Sequence, residues 1–191
     1  MTRIIAGRAR GRRLVVPNGR GTRPTSDRAR EGLFSALESL HGPLAGARVL
    51  DLYAGSGAVG LEALSRGASA TLLVESDQRA VRCIRENSDR VGLPGAEVVV
   101  AKAERLVSAP CSGWAFDIVF LDPPYELPDG DVAGVLRDAA AQGWLAREAV
   151  VVVERATRGG GFAWPDGFRP ARSRRYGEGT LWYGRRAPRR M

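Results

Sequence analysis

The sequence predicts an α/β protein built on an open, mostly parallel, doubly wound sheet. Short apolar strands alternate with helical segments between residues 48 and 154, which is the order that consecutive βαβ units require. The run FDIVFL at residues 116–121 is apolar at almost every position, as expected of a strand buried on both faces. A glycine-rich loop follows the first strand, where sheets of this class bind ligands.

The elements of this sheet are predicted in order along the chain. Thr25 or Ser26 is placed to cap a first helix over residues 27–40, and Gly42-Pro43 ends it. Strands are then predicted over residues 48–53, 70–75, 97–101, 116–121 and 149–154, with helices over residues 58–65, 77–91 and 131–142. Two further strands, residues 172–176 and 180–183, flank Gly177-Glu178-Gly179 and predict a C-terminal hairpin.

The first 24 residues are predicted to form a basic extension ahead of a main domain at residues 25–191. The runs RIIAG and RRLVVP lie on either side of Gly11 and favour a small β-hairpin packed on the edge of that domain. A chain of 191 residues is long enough for one domain with a sizeable core.

Composition excludes several classes of protein. No apolar run reaches the length of a membrane span, and the N-terminus lacks the apolar stretch of a signal peptide, so a cytoplasmic protein is expected. Cys83 and Cys111 match neither a disulfide nor a metal pattern. With His41 as the single histidine, neither a zinc site nor a histidine-based triad is expected, and no metal is predicted.

Positive charge is concentrated at the two ends of the chain. The net charge is +8, yet residues 1–30 hold nine arginines against one acidic residue, and residues 169–191 hold eight against one. The segment between them is acidic, with a balance of −7. Because arginine guanidinium groups neutralise and grip phosphates, this distribution predicts contacts with nucleic acid.

The motif Asp122-Pro123-Pro124-Tyr125 comes directly after the apolar strand at residues 116–121. Each proline fixes its φ angle and donates no backbone hydrogen bond, so the carbonyls around it stay free to accept. A carboxylate and free carbonyls beside an aromatic ring suit a planar nucleobase that carries an exocyclic amine.

The loop after the first strand reads DLYAGSGAVG from Asp51 to Gly60. Its three glycines give G-x-G-x-x-G, and Glu75 ends the second strand where an acid would hold a ribose, so an NAD enzyme is one interpretation. However, the spacing from Asp51, D-x-x-x-G-x-G, resembles the motif of S-adenosylmethionine-dependent methyltransferases. A carboxylate suits a sulfonium and an ammonium better than a pyrophosphate.

Several further motifs make the chain resemble the RsmD family, which methylates the N2 amine of one guanine in small-subunit (16S) ribosomal RNA. They are RIIAG with RGRRL, the segment GTRPT followed by Asp27, Arg28, Arg30 and Glu31, DLYAGSGAVGLEALSRGA, Val74-Glu75, DPPY, and Arg175-Tyr176-Gly177. The resemblance implies a seven-stranded, Rossmann-like methyltransferase sheet that ends in the C-terminal hairpin. It also implies S-adenosylmethionine as the cofactor.

The family pattern assigns roles to residues of this chain. The residues expected to bind the cofactor are Asp51, Tyr53, Ala54, Gly55, Ser56, Gly57, Glu75, Ser76, Ala103, Glu104 and Asp122. The family usually carries an acid after the third strand, where this chain reads Ala101-Lys102-Ala103-Glu104. Either Glu104 replaces that acid, or backbone amides near Ala103 read the adenine.

Catalysis is expected at the DPPY motif. Asp122 and the carbonyl of Pro123 would accept the two hydrogens of the target amine, and Tyr125 would stack on the base. The residues expected to contact RNA are Arg10, Arg23, Thr25, Arg28, Arg30, Arg174, Arg175 and Tyr176.

Two other functions fit part of the sequence. A DNA adenine-N6 methyltransferase would use the same motif, although the chain leaves no room for a separate target-recognition domain. A ribosome-assembly protein whose basic ends bind RNA, with incidental methylation, would also explain the charge distribution. The predicted partner is 16S ribosomal RNA within a partly or fully assembled small subunit, bound by a monomer.

Overall fold

The computed structural model describes residues 2–17 and 26–187. Its helices are α1 (Asp27–His41), α2 (Ala58–Ser65), α3 (Gln78–Val91), α4 (Ala103–Val107) and α5 (Asp129–Ala141). Its strands are β1 (Thr2–Arg3), β2 (Arg13–Leu14), β3 (Arg48–Asp51), β4 (Ala70–Glu75), β5 (Ala96–Val100), β6 (Phe116–Leu121), β7 (Leu145–Ala156), β8 (Phe168–Tyr176) and β9 (Gly179–Arg186).

The main sheet has seven strands in the order β5-β4-β3-β6-β7-β9-β8. Strands β3 to β7 are parallel to one another, whereas β9 runs antiparallel between β7 and β8. The strand order reverses between β3 and β6, which is the switch point where open α/β sheets bind ligands. The predicted doubly wound sheet with a C-terminal antiparallel hairpin is therefore confirmed.

Two apolar layers cover the sheet. Residues of α1, α2 and α3 pack on one face, and residues of α4 and α5 pack on the other. In the middle strands β6 and β7, alternate side chains enter the two layers, so both faces of the sheet are buried. Within the described part of the chain, no helix combines the length and apolar character needed to cross a membrane.

The observed boundaries differ from the predicted ones where pairing continues past the apolar run. Strand β7 begins at Leu145 because that residue still pairs with Phe116, before an irregularity in which Glu148 takes a φ of 64°. Strand β3 ends at Asp51, two residues early, because the chain turns there into the glycine-rich loop. Helix α4 was not predicted, since five residues are too few to show helical periodicity.

The N-terminal extension forms the predicted hairpin, in which Thr2 pairs with Leu14 and Arg3 with Arg13. The segment between its strands lies against α2, where the amide of Ala9 donates to the Ser65 hydroxyl at 2.9 Å.

The carboxylate of Glu62 on α2 anchors this extension. It is fully buried, and its two oxygens accept hydrogen bonds from the amides of Ile5 at 2.7 Å and Ala6 at 3.0 Å. It also pairs with Arg66 at 2.8 Å and lies 3.9 Å from Arg30. Helices α1 and α2 and the extension are thus joined through one buried acid.

Arg30 has a structural place, which the sequence alone could not distinguish from that of Arg28. Its side chain is 0% exposed, and it donates to Asp27 at 3.0 Å and to the carbonyl of Arg3. The prediction that Arg30 contacts RNA is therefore corrected, because a fully enclosed guanidinium group offers no surface to a phosphate.

We expect Glu62→Gln to lower the free energy of unfolding by about 3–5 kcal/mol, because it removes the buried negative charge between Arg30 and Arg66 and turns an amide donor toward a backbone N–H. Urea denaturation measures the change. The matched control is Glu86→Gln, whose partner Arg90 is half exposed on α3, and we expect it to cost at most about 1 kcal/mol. Equal losses in the two variants would contradict the anchoring role of Glu62.

Candidate active site

Four acidic side chains lie where neighbouring parallel strands end. Asp51 ends β3, Glu75 ends β4, Asp122 follows β6, and Glu154 lies near the end of β7. Since the carboxyl ends of parallel strands meet at one edge of the sheet, the four acids share that edge. The switch point between β3 and β6 is at its centre.

The glycine-rich loop is shaped by backbone geometry that favours glycine. Gly55 and Gly57 have φ values of 56° and 78°, and Gly57 is the N-cap of α2. At Gly60 a Cβ atom would lie 2.5 Å from the Cδ2 atom of Leu73, so this glycine lets α2 pack closely on β4. These are the turn and close-packing roles that the G-x-G-x-x-G pattern requires.

The carboxylate of Glu75 binds the backbone around it. One oxygen accepts from the amide of Gly55 at 2.9 Å, and the other accepts from the amides of Ser76 at 2.7 Å and Asp77 at 2.9 Å. This acid therefore joins the end of β4 to the glycine-rich loop and to the start of α3.

Asp51 is the most deeply buried of the four acids, with 1% of its surface exposed. Its Oδ1 atom is buried and has no hydrogen-bond partner among the described residues. Burial raises the pKa of Asp51 to about 7, opposed by the backbone amides of Gly60 and Tyr53 and reinforced by the charge of Glu75. A buried carboxylate oxygen without a hydrogen-bond donor favours the binding of a positively charged ligand.

Asn87 on α3 connects the glycine-rich loop to the N-terminal extension, a role that sequence reasoning missed. It is fully buried, and its amide nitrogen donates to the carbonyls of Ser56 and Val15, both at 2.8 Å. Its side-chain oxygen accepts from the amide of Val15 at 2.7 Å. A buried asparagine on the apolar stripe of an amphipathic helix was the available signal.

Tyr53 and Glu104 border the site on the side of α4. The Tyr53 hydroxyl donates to the Glu104 carboxylate at 2.7 Å, joining the loop after β3 to α4. Burial and this carboxylate raise the pKa of Tyr53, so the phenol stays protonated. Ala103 is buried at the start of the same helix.

The DPPY loop presents its aromatic residue to solvent. Pro123 is buried, whereas Tyr125 is 51% exposed. The pKa of Asp122 is raised well above its ordinary value by burial and by the charges of Glu154 and Asp51, and Arg155 opposes the shift. Asp122 thus lies in the same electrostatic environment as the acids of two neighbouring strands.

Arg155 holds the DPPY loop in place, and the sequence-based prediction missed it. Its guanidinium group donates to the carbonyls of Pro124 at 3.2 Å, Tyr125 at 3.4 Å and Leu127 at 2.6 Å, and pairs with Asp129 at 2.6 Å. With 8% exposure, this arginine lies within the edge of the site. Its position two residues after a run of four valines indicates a charge near a buried strand, but does not show which groups it contacts.

The other residues expected to contact RNA lie on two parts of the surface. Arg10 and Arg28 are exposed on the extension and on α1, while Arg174 and Arg175 are exposed on β8. Tyr176 is half-buried, with its ring packed against Gly32 and the Arg174 guanidinium 5.6 Å from the ring centroid. Arg23 and Thr25 lie outside the described residues.

Comparison with known proteins decides the family. The family model described as conserved hypothetical protein 95 matches residues 2–185. The ribosomal RNA small subunit methyltransferase D of Escherichia coli is 39% identical over 158 residues, which cover 83% of this chain and 76% of the relative. The chain belongs to the RsmD family.

Other members of the RsmD family agree with this assignment. The relative in Haemophilus influenzae, also named ribosomal RNA small subunit methyltransferase D, is 36% identical over 154 residues, covering 80% of this chain and 77% of that protein. A solved structure of a candidate Escherichia coli methyltransferase superposes with a TM-score of 0.82 at 36% identity, covering 97% of this chain and 98% of the other. The resemblance to this methyltransferase family is confirmed.

We expect Arg155→Met to lower methyl transfer more than tenfold and the free energy of unfolding by about 2 kcal/mol, because the DPPY loop loses its charge-assisted hydrogen bonds. Initial rates and urea denaturation measure the two effects. Arg90→Met, which removes an exposed arginine of α3, is the matched control and should change neither. Full activity in Arg155→Met would contradict a positioning role.

Proposed function

We propose that this protein transfers a methyl group from S-adenosylmethionine to the N2 amine of a guanine in 16S ribosomal RNA. The observation that carries the proposal is the position of Asp122 at the switch point, beside the buried Oδ1 atom of Asp51, which has no hydrogen-bond partner within residues 2–17 and 26–187. Asp51 suits a cationic cofactor, and Asp122 suits the amine of the base. The names of the related RsmD-family proteins support ribosomal RNA as the substrate.

The residues present fit the proposed cofactor better than a dinucleotide. Asp51 would face the ammonium and sulfonium groups, which its buried Oδ1 atom can stabilise. A pyrophosphate needs free amides at this loop, but the amide of Gly55 already donates to Glu75, and both acids would repel it. The NAD interpretation is therefore disfavoured.

The remaining cofactor residues surround the same loop. Glu75 would accept from a ribose hydroxyl through the one position that its three backbone contacts leave, since a carboxylate has about four acceptor positions. The backbone of Ala54, Gly55, Ser56, Gly57 and Ser76 would line the cofactor site. Ala103 would contact the adenine beside the Tyr53–Glu104 hydrogen bond.

The bound cofactor supplies an electrophilic methyl group, so the protein mainly has to place and polarise the amine. Asp122 and the carbonyl of Pro123 would accept the two N–H groups and direct the nitrogen lone pair toward the methyl group. Positive charge develops on nitrogen during transfer, and the Asp122 carboxylate stabilises it. Tyr125 would stack on the base, which has to leave its helix to reach the loop.

Exposed arginines at both ends of the chain would bind the RNA backbone. Arg10, Arg28, Arg174 and Arg175 are exposed, and Arg23, Thr25 and Tyr176 complete the proposed set. We propose that residues 1–24 act as an RNA-binding extension of a methyltransferase domain at residues 25–191. The proposed setting is a cytoplasmic monomer acting on a partly or fully assembled small subunit.

We expect wild-type protein to form N2-methylguanosine in small subunits that lack this modification, and Asp122→Asn to reduce the rate at least about 100-fold. Transfer of labelled methyl, with mass spectrometry of the nucleosides, measures both. Asp138→Asn, an exposed acid on α5, is the matched control and should keep full activity. With DNA supplied as an alternative acceptor, N6-methyladenine would instead support the adenine enzyme, and absence of transfer to either acceptor would support an assembly protein.

We also expect S-adenosylmethionine to bind about tenfold more tightly at pH 8 than at pH 6. The ligand requires the Asp51 carboxylate, whose pKa of about 7 in the free protein leaves it mostly protonated at pH 6. Calorimetry should show proton release on binding, and Asp51→Asn should remove most of the pH dependence. The same slope in wild type and variant would contradict the role of Asp51.

A further inference from the structure

Glu154 lies beside Asp122 because of the register of the sheet. Leu121 of β6 pairs with Val153 of β7 in a parallel ladder, so Asp122 and Glu154 each follow one member of that pair. Neighbouring residues at equivalent positions of parallel strands lie about 4.8 Å apart and place their side chains on the same face. Two carboxylates are therefore adjacent at the position where the target amine is proposed to bind.

Gly179 on β9 leaves room for the Glu154 carboxylate. A Cβ atom at this position would lie 2.7 Å from Oε1 of Glu154 and 3.5 Å from the hydroxyl oxygen of Tyr125. The carboxylate of Glu154 and the phenol of Tyr125 thus converge on one backbone position. Any larger residue at position 179 would displace the acid.

The electrostatics agree with this arrangement. Burial raises the pKa values of both Asp122 and Tyr125, and Glu154 is the charge that contributes most to each shift. The carboxylate of Glu154 therefore interacts electrostatically with both groups, in agreement with its position beside Tyr125 at Gly179.

The Watson–Crick edges of purines differ in what such a pair of acids can bind. Guanine presents two neighbouring donors there, N1–H and the N2 amine. Adenine presents its amine beside an N1 atom that only accepts, so a carboxylate facing N1 would be repelled. A site built to bind a donor strongly rejects an analogue that lacks it, because its own polar group is then left unpaired.

We propose that Glu154 accepts the N1–H of the target guanine while Asp122 accepts the N2 amine, so that the two acids select guanine over adenine. This inference rests on the proposed function and adds the residue that determines the base. It does not require Glu154 to lack other contacts, because a carboxylate offers about four acceptor positions.

The test compares guanine with 2-aminopurine, which keeps the N2 amine but has an N1 acceptor in place of N1–H. Small subunits are reconstituted from RNA that carries one or the other base at the nucleotide mapped in the labelling experiment. For wild type we expect at least about 100-fold faster transfer to guanine. Glu154→Gln should lower that ratio by about tenfold or more, because the glutamine amide can donate to N1.

A second variant tests the position of the Glu154 carboxylate by a steric change and leaves its charge unaltered. Gly179→Ala should push the Glu154 carboxylate away from the base and lower the same ratio, with Glu154 itself unchanged. Gly134→Ala on α5, where a Cβ atom would have only an ordinary contact at 3.6 Å, is the matched control and should keep the wild-type ratio. Circular dichroism spectra and melting temperatures identify any variant that fails to fold.

Each outcome bears on the proposal separately from the proposed function. A lower ratio in Glu154→Gln and Gly179→Ala supports Glu154 as the residue that reads N1. A wild-type ratio in folded Glu154→Gln, or equal use of both bases by wild type, overturns the inference but leaves the proposed function intact. Absence of transfer to guanine by wild type overturns the proposed function and the inference with it.

Discussion

The structure depends on the convergence of carboxylates at the ends of four parallel strands. Asp51 and Asp122 lie at the switch point in surroundings that raise the pKa of each above its ordinary range. Mutual repulsion and burial make this arrangement unfavourable in the free protein, and ligands that bring positive charge or N–H donors relieve it. The proposed cofactor brings a sulfonium and an ammonium, and the proposed base brings an amine. The site is thus complementary in charge to both proposed ligands.

The surrounding chain holds these acids in place through buried polar contacts. Arg155 binds the carbonyls of the DPPY loop, and Asn87 joins the glycine-rich loop to residue 15 of the N-terminal extension. Glu62 fixes the start of that extension on α2. Loops positioned in this way lose little conformational entropy when ligands bind. The extension is therefore connected to the cofactor loop by hydrogen bonds, although the two are far apart in sequence.

The sequence was sufficient to predict the sheet and its central loops, because these depend on local patterns. Apolar strands such as β6 and the glycines after β3 can be recognised from the residues next to them in the sequence, without knowledge of the tertiary structure. The roles of Arg155 and Glu154 could not be predicted, because they depend on the register between β6, β7 and β9, which no local pattern encodes. Arg30 was misplaced for a related reason, since alternate arginines on a helix look alike until packing buries one of them.

The most direct test of this account is a crystal structure of the protein with a non-reactive S-adenosylmethionine analogue that carries an amine in place of the sulfonium methyl group. We expect the amine to lie between the carboxylates of Asp51 and Asp122, with the ribose beside Glu75. An analogue bound elsewhere, for example in the roughly 490 Å³ cavity lined by Trp164 and Trp182 at the edge of the sheet, would contradict it.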